Sequence, residues 1–412
     1  MGQREFIVLI SLLMALTALA IDLMLPAFGA MRESFGLPED SSAIAPVVTV
    51  FLLGLGVGQP LWGPLSDAYG RKRILWIGLA VYCVGAAGAA LASSLALLLA
   101  WRFVGGLGAG AVRVVALGTV RDRSRGEAMA RIMSYVMAVF ILVPVIAPAL
   151  GSIVLGVASW HVTFWVLVAV ALAAAAWSTR MPESLPAERR IAPQLGRLTA
   201  AVRAVLRSRF AMGLTIAQTA TFALFASYLA TSELFIGDVF DLSAWFPVIF
   251  GATALVMGAG MIVNPRMLDR FGLRRWLRIV LSGYLAATLL LAGIALACGG
   301  QPPFWLFLVG LLPVLLAQGF VTPNLNSAAM MPMGHIAGTA AAVIGSISTL
   351  GGAAIGAAID RAYDGTILPF AVAGVLIGLV GYACYRWADA VWVRSADRDI
   401  GASPAVEQAV AR

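Results

Sequence analysis

The sequence is poor in charged residues and in the side chains that perform covalent or metal chemistry. Only 12% of its 412 residues are charged, and it has two histidines and three cysteines. A soluble domain usually carries about 25% charged residues, so this deficit argues against a soluble protein. Cys83, Cys298 and Cys384 lie singly in apolar stretches, and we interpret them as core residues rather than metal ligands or disulfides. The sequence therefore predicts neither a metal site nor a cofactor.

In place of charge, the sequence has long apolar stretches. Hydrophobic residues make up 61% of the chain, and the mean hydropathy is +0.93. Apolar stretches of about 20 residues recur, which is the helix length that crosses a hydrocarbon core of about 30 Å. We predict an all-α membrane protein with about twelve transmembrane helices in a lipid bilayer. The predicted spans are 5–28, 43–65, 74–96, 98–120, 131–157, 161–180, 210–236, 243–264, 276–298, 303–326, 338–359 and 367–392.

One connection between the predicted spans is much longer than the others. It is rich in Pro, Glu and Arg and divides the chain into two groups of six spans. The predicted organisation is an N-terminal six-helix bundle over 1–180, a linker over 181–209, a C-terminal six-helix bundle over 210–392 and a tail over 393–412.

Basic residues are concentrated in alternate connections. With the N-terminus placed inside, 24 of the 28 Lys and Arg residues fall on the cytoplasmic side. Because cytoplasmic loops carry an excess of Lys and Arg, both termini and the linker are predicted to be cytoplasmic. The abundance of Ala and Arg is typical of a GC-rich bacterial genome, so we expect a multi-pass protein of the bacterial inner membrane. The net charge of +8 then reflects topology, and we predict no nucleic-acid partner.

A short pattern occurs twice, at equivalent places in the two groups of spans. The loop over 63–73 and the loop over 265–275 both contain Asp, then an aromatic residue and Gly, then a basic cluster, at an offset of 202 residues. Each loop joins the second and third spans of its group. Since each group has six spans, the two groups share one orientation, which favours parallel repeats of the kind found in transporters.

The first of these loops has the composition of a conformational latch. Gly70 permits a tight turn at a helix end, and Asp67 can pair with Arg or interact with the N-terminus of a neighbouring helix. Such contacts could hold one transport conformation and break in another. The alternative is that the basic cluster only sets the topology. The predicted latch residues are Gly63, Asp67, Gly70, Arg71, Arg73 and Arg121.

Three motifs resemble those of the major facilitator superfamily. The loop over 63–73 resembles its signature loop. The sequence from Arg102 to Gly110 is similar to its fourth-helix motif, whose Arg is implicated in proton coupling, although Gly105 or Gly106 stands where that motif usually has Gln. The fifth span resembles the antiporter motif of the superfamily, through Pro144, Pro148 and Gly151.

Further features resemble one subgroup, the drug/proton antiporters of the Bcr/CflA type. They are the Asp22–Pro26 end of the first span, Pro323-Asn324, and the Gly and Ala residues after Gly334. The resemblance implies two pseudo-symmetric six-helix bundles and proton-driven export of compounds such as bicyclomycin, chloramphenicol-type drugs and sulfonamides. Arg113 and Glu233 are not part of the subgroup's pattern.

Two charged residues inside spans are candidates for proton coupling. A charge within a span costs at least about 2.5 kcal/mol, so it usually faces a cavity or a partner. Asp22 and Arg102 lie at similar predicted depths, and the resemblance implies that helices 1 and 4 both line the central cavity. Our hypothesis is that Asp22 takes up and releases the proton while Arg102 tunes its affinity for the proton. The alternative is a static ion pair that only orients helices.

Arg113 is a candidate for substrate recognition. It follows Arg102 by eleven residues, close to three helical turns, so both lie on roughly one face of the fourth span. A cavity with two arginines suits an anionic or strongly polar substrate. The alternative is that Arg113 extends along the helix to the inner membrane surface.

A mixed stripe of polar and aromatic side chains marks the seventh span as part of the cavity. Such a stripe can line a pocket for a drug-like molecule, but aromatic residues on a membrane helix also face lipid, and buried amides also bond neighbouring helices. Including two other spans, the cavity candidates besides Arg113 are Tyr135, Gln218, Phe222, Phe225, Glu233, Gln318 and Asn324.

The predicted function is proton-coupled export of drugs or antibiotics by alternating access, with a small molecule, protons and the bilayer as partners and a monomeric state. A proton-coupled metabolite permease or a self-resistance exporter for a natural product remains an alternative. A membrane enzyme or a channel is more remote. The only histidines, His161 and His335, lie near loops, the chain has no nucleotide-binding loop, and a channel does not need a two-fold repeat.

Overall fold

The computed structural model describes residues 1–38, 41–124, 126–190 and 195–401. Within these residues the chain is helical, and twelve helical segments are long and apolar enough to cross a membrane. This confirms the all-α membrane fold that the hydropathy predicted. The helices are α1 (Gln3–Asp22), α2 (Phe28–Ser34), α3 (Pro46–Tyr69), α4 (Arg71–Ala90), α5 (Leu95–Arg123), α6 (Gly126–Val157), α7 (His161–Ser178), α8 (Leu195–Arg207), α9 (Arg209–Leu234), α10 (Phe246–Phe271), α11 (Leu273–Ala297), α12 (Phe304–Met330), α13 (Ala337–Asp360) and α14 (Leu368–Gly401).

The first predicted span is not one continuous α-helix. Helix α1 ends at Asp22, a 3₁₀ turn over Leu25–Ala27 follows, and α2 continues the segment to Ser34. Pro26 explains the break, because it lacks the N–H that would continue the helical hydrogen-bond ladder. The predicted span over 5–28 crosses this break, so Asp22 stands at a helix end inside the membrane segment.

The helices form two groups. Helices α1 and α3–α7, the first half, pack mainly among themselves, as do α9–α14, the second half. Packing within the first half is very close: a Cβ on Gly54 would lie 2.2 Å from the Phe103 carbonyl oxygen, and one on Gly106 would lie 2.1 Å from that of Phe51. Small residues at these places let α3 and α5 approach backbone to backbone.

The two halves meet along two pairs of helices, α3 with α13 and α6 with α10. The Ser346 hydroxyl on α13 donates a hydrogen bond of 2.7 Å to the Gly56 carbonyl oxygen on α3. On the other seam, a Cβ on Gly258 would lie 2.3 Å from a side-chain carbon of Ile141. Below, the outer end is the end that carries residues 23–38, 41–45 and 361–367, following the predicted orientation, and the opposite end is the inner end.

Candidate functional site

The predicted latch is built around the buried guanidinium of Arg71. Its Nη2 lies 2.6 Å from Asp67 Oδ1 and its Nε 2.9 Å from Asp122 Oδ2, while Nη1 donates a 2.5 Å hydrogen bond to Ser66 Oγ. The sharp turn between α3 and α4 makes this possible, because Gly70 has a φ of 95°, which favours glycine. These contacts join α3, α4 and α5 at the inner end.

A residue of the connection between the halves bonds to this loop at the inner end. The Glu183 carboxylate accepts hydrogen bonds from the backbone N–H groups of Arg71, at 2.9 Å, and Lys72, at 3.1 Å. It thereby satisfies two of the free N–H groups at the start of α4, where negative charge is favourable. Sequence reasoning missed Glu183. A carboxylate after the Met-Pro at 181–182 resembles any other linker residue, and its partner lies more than a hundred positions away.

The other latch candidates have different surroundings. Arg73 is exposed and its guanidinium lies 5.9 Å from the Tyr69 ring centroid. Gly63 lies inside α3 with open space around it. The Arg121 guanidinium lies beside Gly338 of α13, where a Cβ would come within 2.6 Å of Nη1. Arg121 thus lies at the boundary between the halves.

We expect removal of the Arg71 side chain to destabilise the protein. In Arg71→Ala the Asp67 and Asp122 carboxylates lose their common cation. Loss of one partner of a buried ion pair costs about 3 kcal/mol at the low end of the range, and we expect this low value because the Asp67 carboxylate is partly exposed. The midpoint of thermal unfolding in detergent should fall clearly. Arg73→Ala removes an exposed arginine from the same loop and should leave the midpoint unchanged. Equal midpoints for both variants would contradict the central role of Arg71.

At the outer end, a buried arginine joins the two halves. Arg32 on α2 donates hydrogen bonds from Nη1 to Asp238 Oδ2 at 2.9 Å and from Nη2 to Glu233 Oε2 at 3.4 Å. We call Arg32, Glu233 and Asp238 the outer cluster. Glu233, predicted to line the substrate cavity, forms an ion pair with Arg32 in this structure. Sequence reasoning recorded Arg32 only as a basic residue outside the cytoplasmic loops.

Asp22 is buried at the boundary between the halves. It is 2% exposed, and the turn that follows it contacts α9. Its carboxylate is close enough to Tyr228 on α9 to interact with it electrostatically. Among the residues that the structure describes, no hydrogen bond or ion pair satisfies this carboxylate. Burying a carboxylate anion without a hydrogen-bond or ion-pair partner is costly.

Arg102 is buried in the first half and does not form an ion pair with Asp22. Its Nε donates to the Val47 carbonyl oxygen at 3.0 Å, its guanidinium lies 4.3 Å from the Phe51 ring centroid, and its Nη2 is buried without a partner. A static Asp22–Arg102 ion pair is therefore not present in this conformation.

The antiporter motif lies next to Asp22. Pro144 and Pro148 lie inside α6, and Gly151 packs against the break after α1, where a Cβ would come within 2.1 Å of the Leu23 carbonyl oxygen. A side chain at Gly151 would therefore displace the backbone directly after Asp22. The geometry links this motif to the residue proposed to carry the proton.

Besides Glu233, four polar cavity candidates differ in their hydrogen bonding. Within the described part of the chain, Arg113 is half-buried and has no hydrogen bond or ion pair. Gln218 and Gln318 are buried, and each has a side-chain oxygen without a partner. Asn324 instead bonds to Asn264, donating to its Oδ1 at 2.7 Å.

The aromatic candidates differ in burial. Phe222 and Phe225 are half-buried neighbours on α9, with ring centroids 6.2 Å apart. Tyr135 on α6 is 55% exposed. No group of three or more metal-ligating side chains occurs among the residues described here.

Two halves of membrane-spanning helices, with a buried, unpaired carboxylate where they meet, are the architecture of a secondary transporter. The model of the Major Facilitator Superfamily matches residues 10–357. The chain therefore belongs to this superfamily, as its motifs predicted.

Relatives and solved structures agree with this assignment. The chain is 27% identical to a bicyclomycin resistance protein homolog of Haemophilus influenzae, over 92% of this chain and 95% of the relative. It is 26% identical to multidrug resistance protein D of Escherichia coli, over 92% and 93%. Its fold is similar to that of a D-xylose–proton symporter, with a TM-score of 0.70, 16% identity and coverage of 92% and 97% of the two chains.

Proposed function

We propose that this protein is a proton-coupled exporter of drug-like or antibiotic molecules. The observation that carries the proposal is the buried, unpaired carboxylate of Asp22, which lies against α9 and next to the antiporter motif. At the boundary of two halves that move against each other, this carboxylate would face each side of the membrane in turn. A proton bound from outside would then be released inside while substrate leaves.

The names of the two relatives support the choice of substrate, since one is a bicyclomycin resistance homolog and the other a multidrug resistance protein. The bacterial relatives and the placement of basic loops support an inner-membrane protein with both termini in the cytoplasm. We propose that it works as a monomer, because each chain contains both halves.

Alternating access requires contacts that break at each end of the molecule. At the outer end, the outer cluster joins α2 to the second half and would have to separate before substrate leaves. At the inner end, Arg121 beside Gly338 is the latch contact between the halves. In this cycle the two sets of contacts break alternately.

Accumulation of drugs in a drug-sensitive bacterium tests the proposal. Cells that express the protein should accumulate less of at least one compound among bicyclomycin, phenicols, sulfonamides and lipophilic cations. A protonophore should abolish the difference, because it removes the proton gradient. Unchanged accumulation of every compound would contradict drug export and favour a permease for a metabolite.

The unpartnered guanidinium of Arg113 favours a substrate with a negative or strongly polar group. We expect Arg113→Gln to reduce transport of anionic substrates about tenfold, because a charge-assisted hydrogen bond contributes about 1.5–3 kcal/mol, while transport of neutral analogues persists. Arg113→Lys should retain part of the anionic transport. Arg131→Gln removes an exposed arginine near the inner end and serves as the control. Unchanged substrate preference in Arg113→Gln would show that Arg113 only reaches the membrane surface.

A further inference from the structure

Besides Asp22 and Glu233, a further carboxylate is buried in the membrane segment, and the cycle above does not use it. Asp360 is the last residue of α13 and is 4% exposed. The Ser227 hydroxyl on α9 donates a 2.5 Å hydrogen bond to its Oδ1. Its Oδ2 is buried and has no hydrogen-bond partner among the residues that the structure describes.

The surroundings of Asp360 provide no described cation to neutralise it. The helices packed against α13 include α3, α9, α12 and α14, and α3, α12 and α14 carry no charged residue in their outer halves. In the outer half of α9 the charged residue is Glu233, which pairs with Arg32. In the turn that follows Asp360, Arg361 and Asp364 are exposed. The ring of Tyr363 packs on Phe235, with the ring centroids 6.0 Å apart.

An ionised carboxylate in such a place is expensive. Burying an unpaired charge costs several kcal/mol, and one hydroxyl donor offsets only part of that cost. An ionised Asp360 would carry most of this cost in this conformation. Because Ser227 donates to Oδ1, the free Oδ2 is the oxygen that would hold the proton.

Asp360 also lies close to the proposed proton site. Ser227, its partner, is the direct neighbour of Tyr228, the residue with which Asp22 interacts. Asp360 thus bonds to the residue directly before Tyr228, and Asp22, from the other half, interacts electrostatically with Tyr228. Glu233 of the outer cluster follows Ser227 by six residues, about 9 Å along the helix. Separation of the outer cluster would therefore open a short path for water to this part of α9.

We propose that Asp360 is a second proton-carrying residue of the transport cycle. When the outer end is open, its carboxylate accepts a proton from water and becomes a neutral acid. When the inner end is open, the O–H bond breaks, the proton passes to water on the inner side and the carboxylate reforms. This proposal rests on the proposed proton-coupled export, and it adds one proton to each transported substrate.

The ratio of protons to substrate, measured in proteoliposomes, tests this role. The pH gradient that halts net substrate movement against a set substrate gradient gives the ratio. In Asp360→Asn, where the side chain keeps an oxygen for Ser227 but cannot carry a proton, the ratio should fall by one proton per substrate. Exchange of labelled for unlabelled substrate, which needs no net proton movement, should persist and shows that the variant is folded.

Two variants serve as controls. Ser227→Ala removes the hydrogen bond but keeps the carboxylate, and it should keep the wild-type ratio. Asp364→Asn removes an exposed carboxylate four residues away and should do the same. An unchanged ratio in Asp360→Asn, or a loss of labelled exchange in Asp360→Asn and Ser227→Ala alike, would show that Asp360 is only a packing partner of Ser227. Absence of proton coupling in the wild type would overturn the proposed function itself, which is a distinct result.

Discussion

In Asp22→Asn, the rate of concentrative export should fall at least about tenfold, which corresponds to an increase of about 1.4 kcal/mol or more in the free-energy barrier of export. Asparagine keeps the size of the side chain and removes its ability to bind and release a proton. The variant should therefore still fold, bind substrate and exchange labelled for unlabelled substrate. Initial rates of pH-driven transport and of exchange, measured on the same proteoliposomes, separate the two properties.

Glu33→Gln is the matched control for Asp22→Asn. Glu33 is an exposed carboxylate eleven residues further along the same membrane segment, so its loss should leave both rates unchanged. Full pH-driven export by Asp22→Asn would exclude Asp22 from coupling. Loss of both rates would place Asp22 in the packing of the α1 break rather than in proton transfer.

Arg32→Gln should shift the protein towards the conformation that is open at its outer end. The substitution leaves Glu233 and Asp238 without their common cation in the closed arrangement, where loss of one partner of a buried pair costs about 3–5 kcal/mol. Because opening exposes both carboxylates to water, the open state avoids most of this cost. A shift of about 3 kcal/mol changes the ratio of two conformations by more than about a hundredfold.

Distances between spin labels at Glu33 and Ala244, both exposed at the outer end, measure this shift. Arg32→Gln should lengthen the main distance, and export should slow because the closed state becomes rare. Arg361→Gln removes an exposed arginine at the same end and should leave the distance distribution as in the parent protein. An unchanged distribution in Arg32→Gln would show that the outer cluster does not hold the halves together.

The number and approximate position of the membrane helices could be predicted from the sequence, because each span must satisfy its backbone hydrogen bonds internally and leaves a long apolar stretch. The break after Asp22 was missed even though Pro26 marks it. The apolar stretch continues through Pro26, and the prediction from hydropathy therefore extended the span to residue 28. The signature loop was also predictable in part, since Asp67, Gly70 and Arg71 act over a few residues of chain.

The contacts between distant segments could not be predicted. Arg32 meets Glu233 and Asp238 across about two hundred residues, and Asp360 meets Ser227 across 133. Each of these charged residues stands near the end of a span. The local sequence there is the same whether the charged side chain is buried against a partner or lies at the membrane surface. Only the packing of α2 and α13 against α9 distinguishes a buried partner from an interfacial charge.

Proton movement driven by substrate is the most direct test of the proposed function. Proteoliposomes with an acidic interior receive the substrate found in the accumulation assay, and a pH-sensitive dye inside reports proton efflux. Wild-type protein should raise the internal pH as substrate enters, and Asp22→Asn should not. Substrate entry into wild-type vesicles at an unchanged internal pH would contradict proton-coupled export.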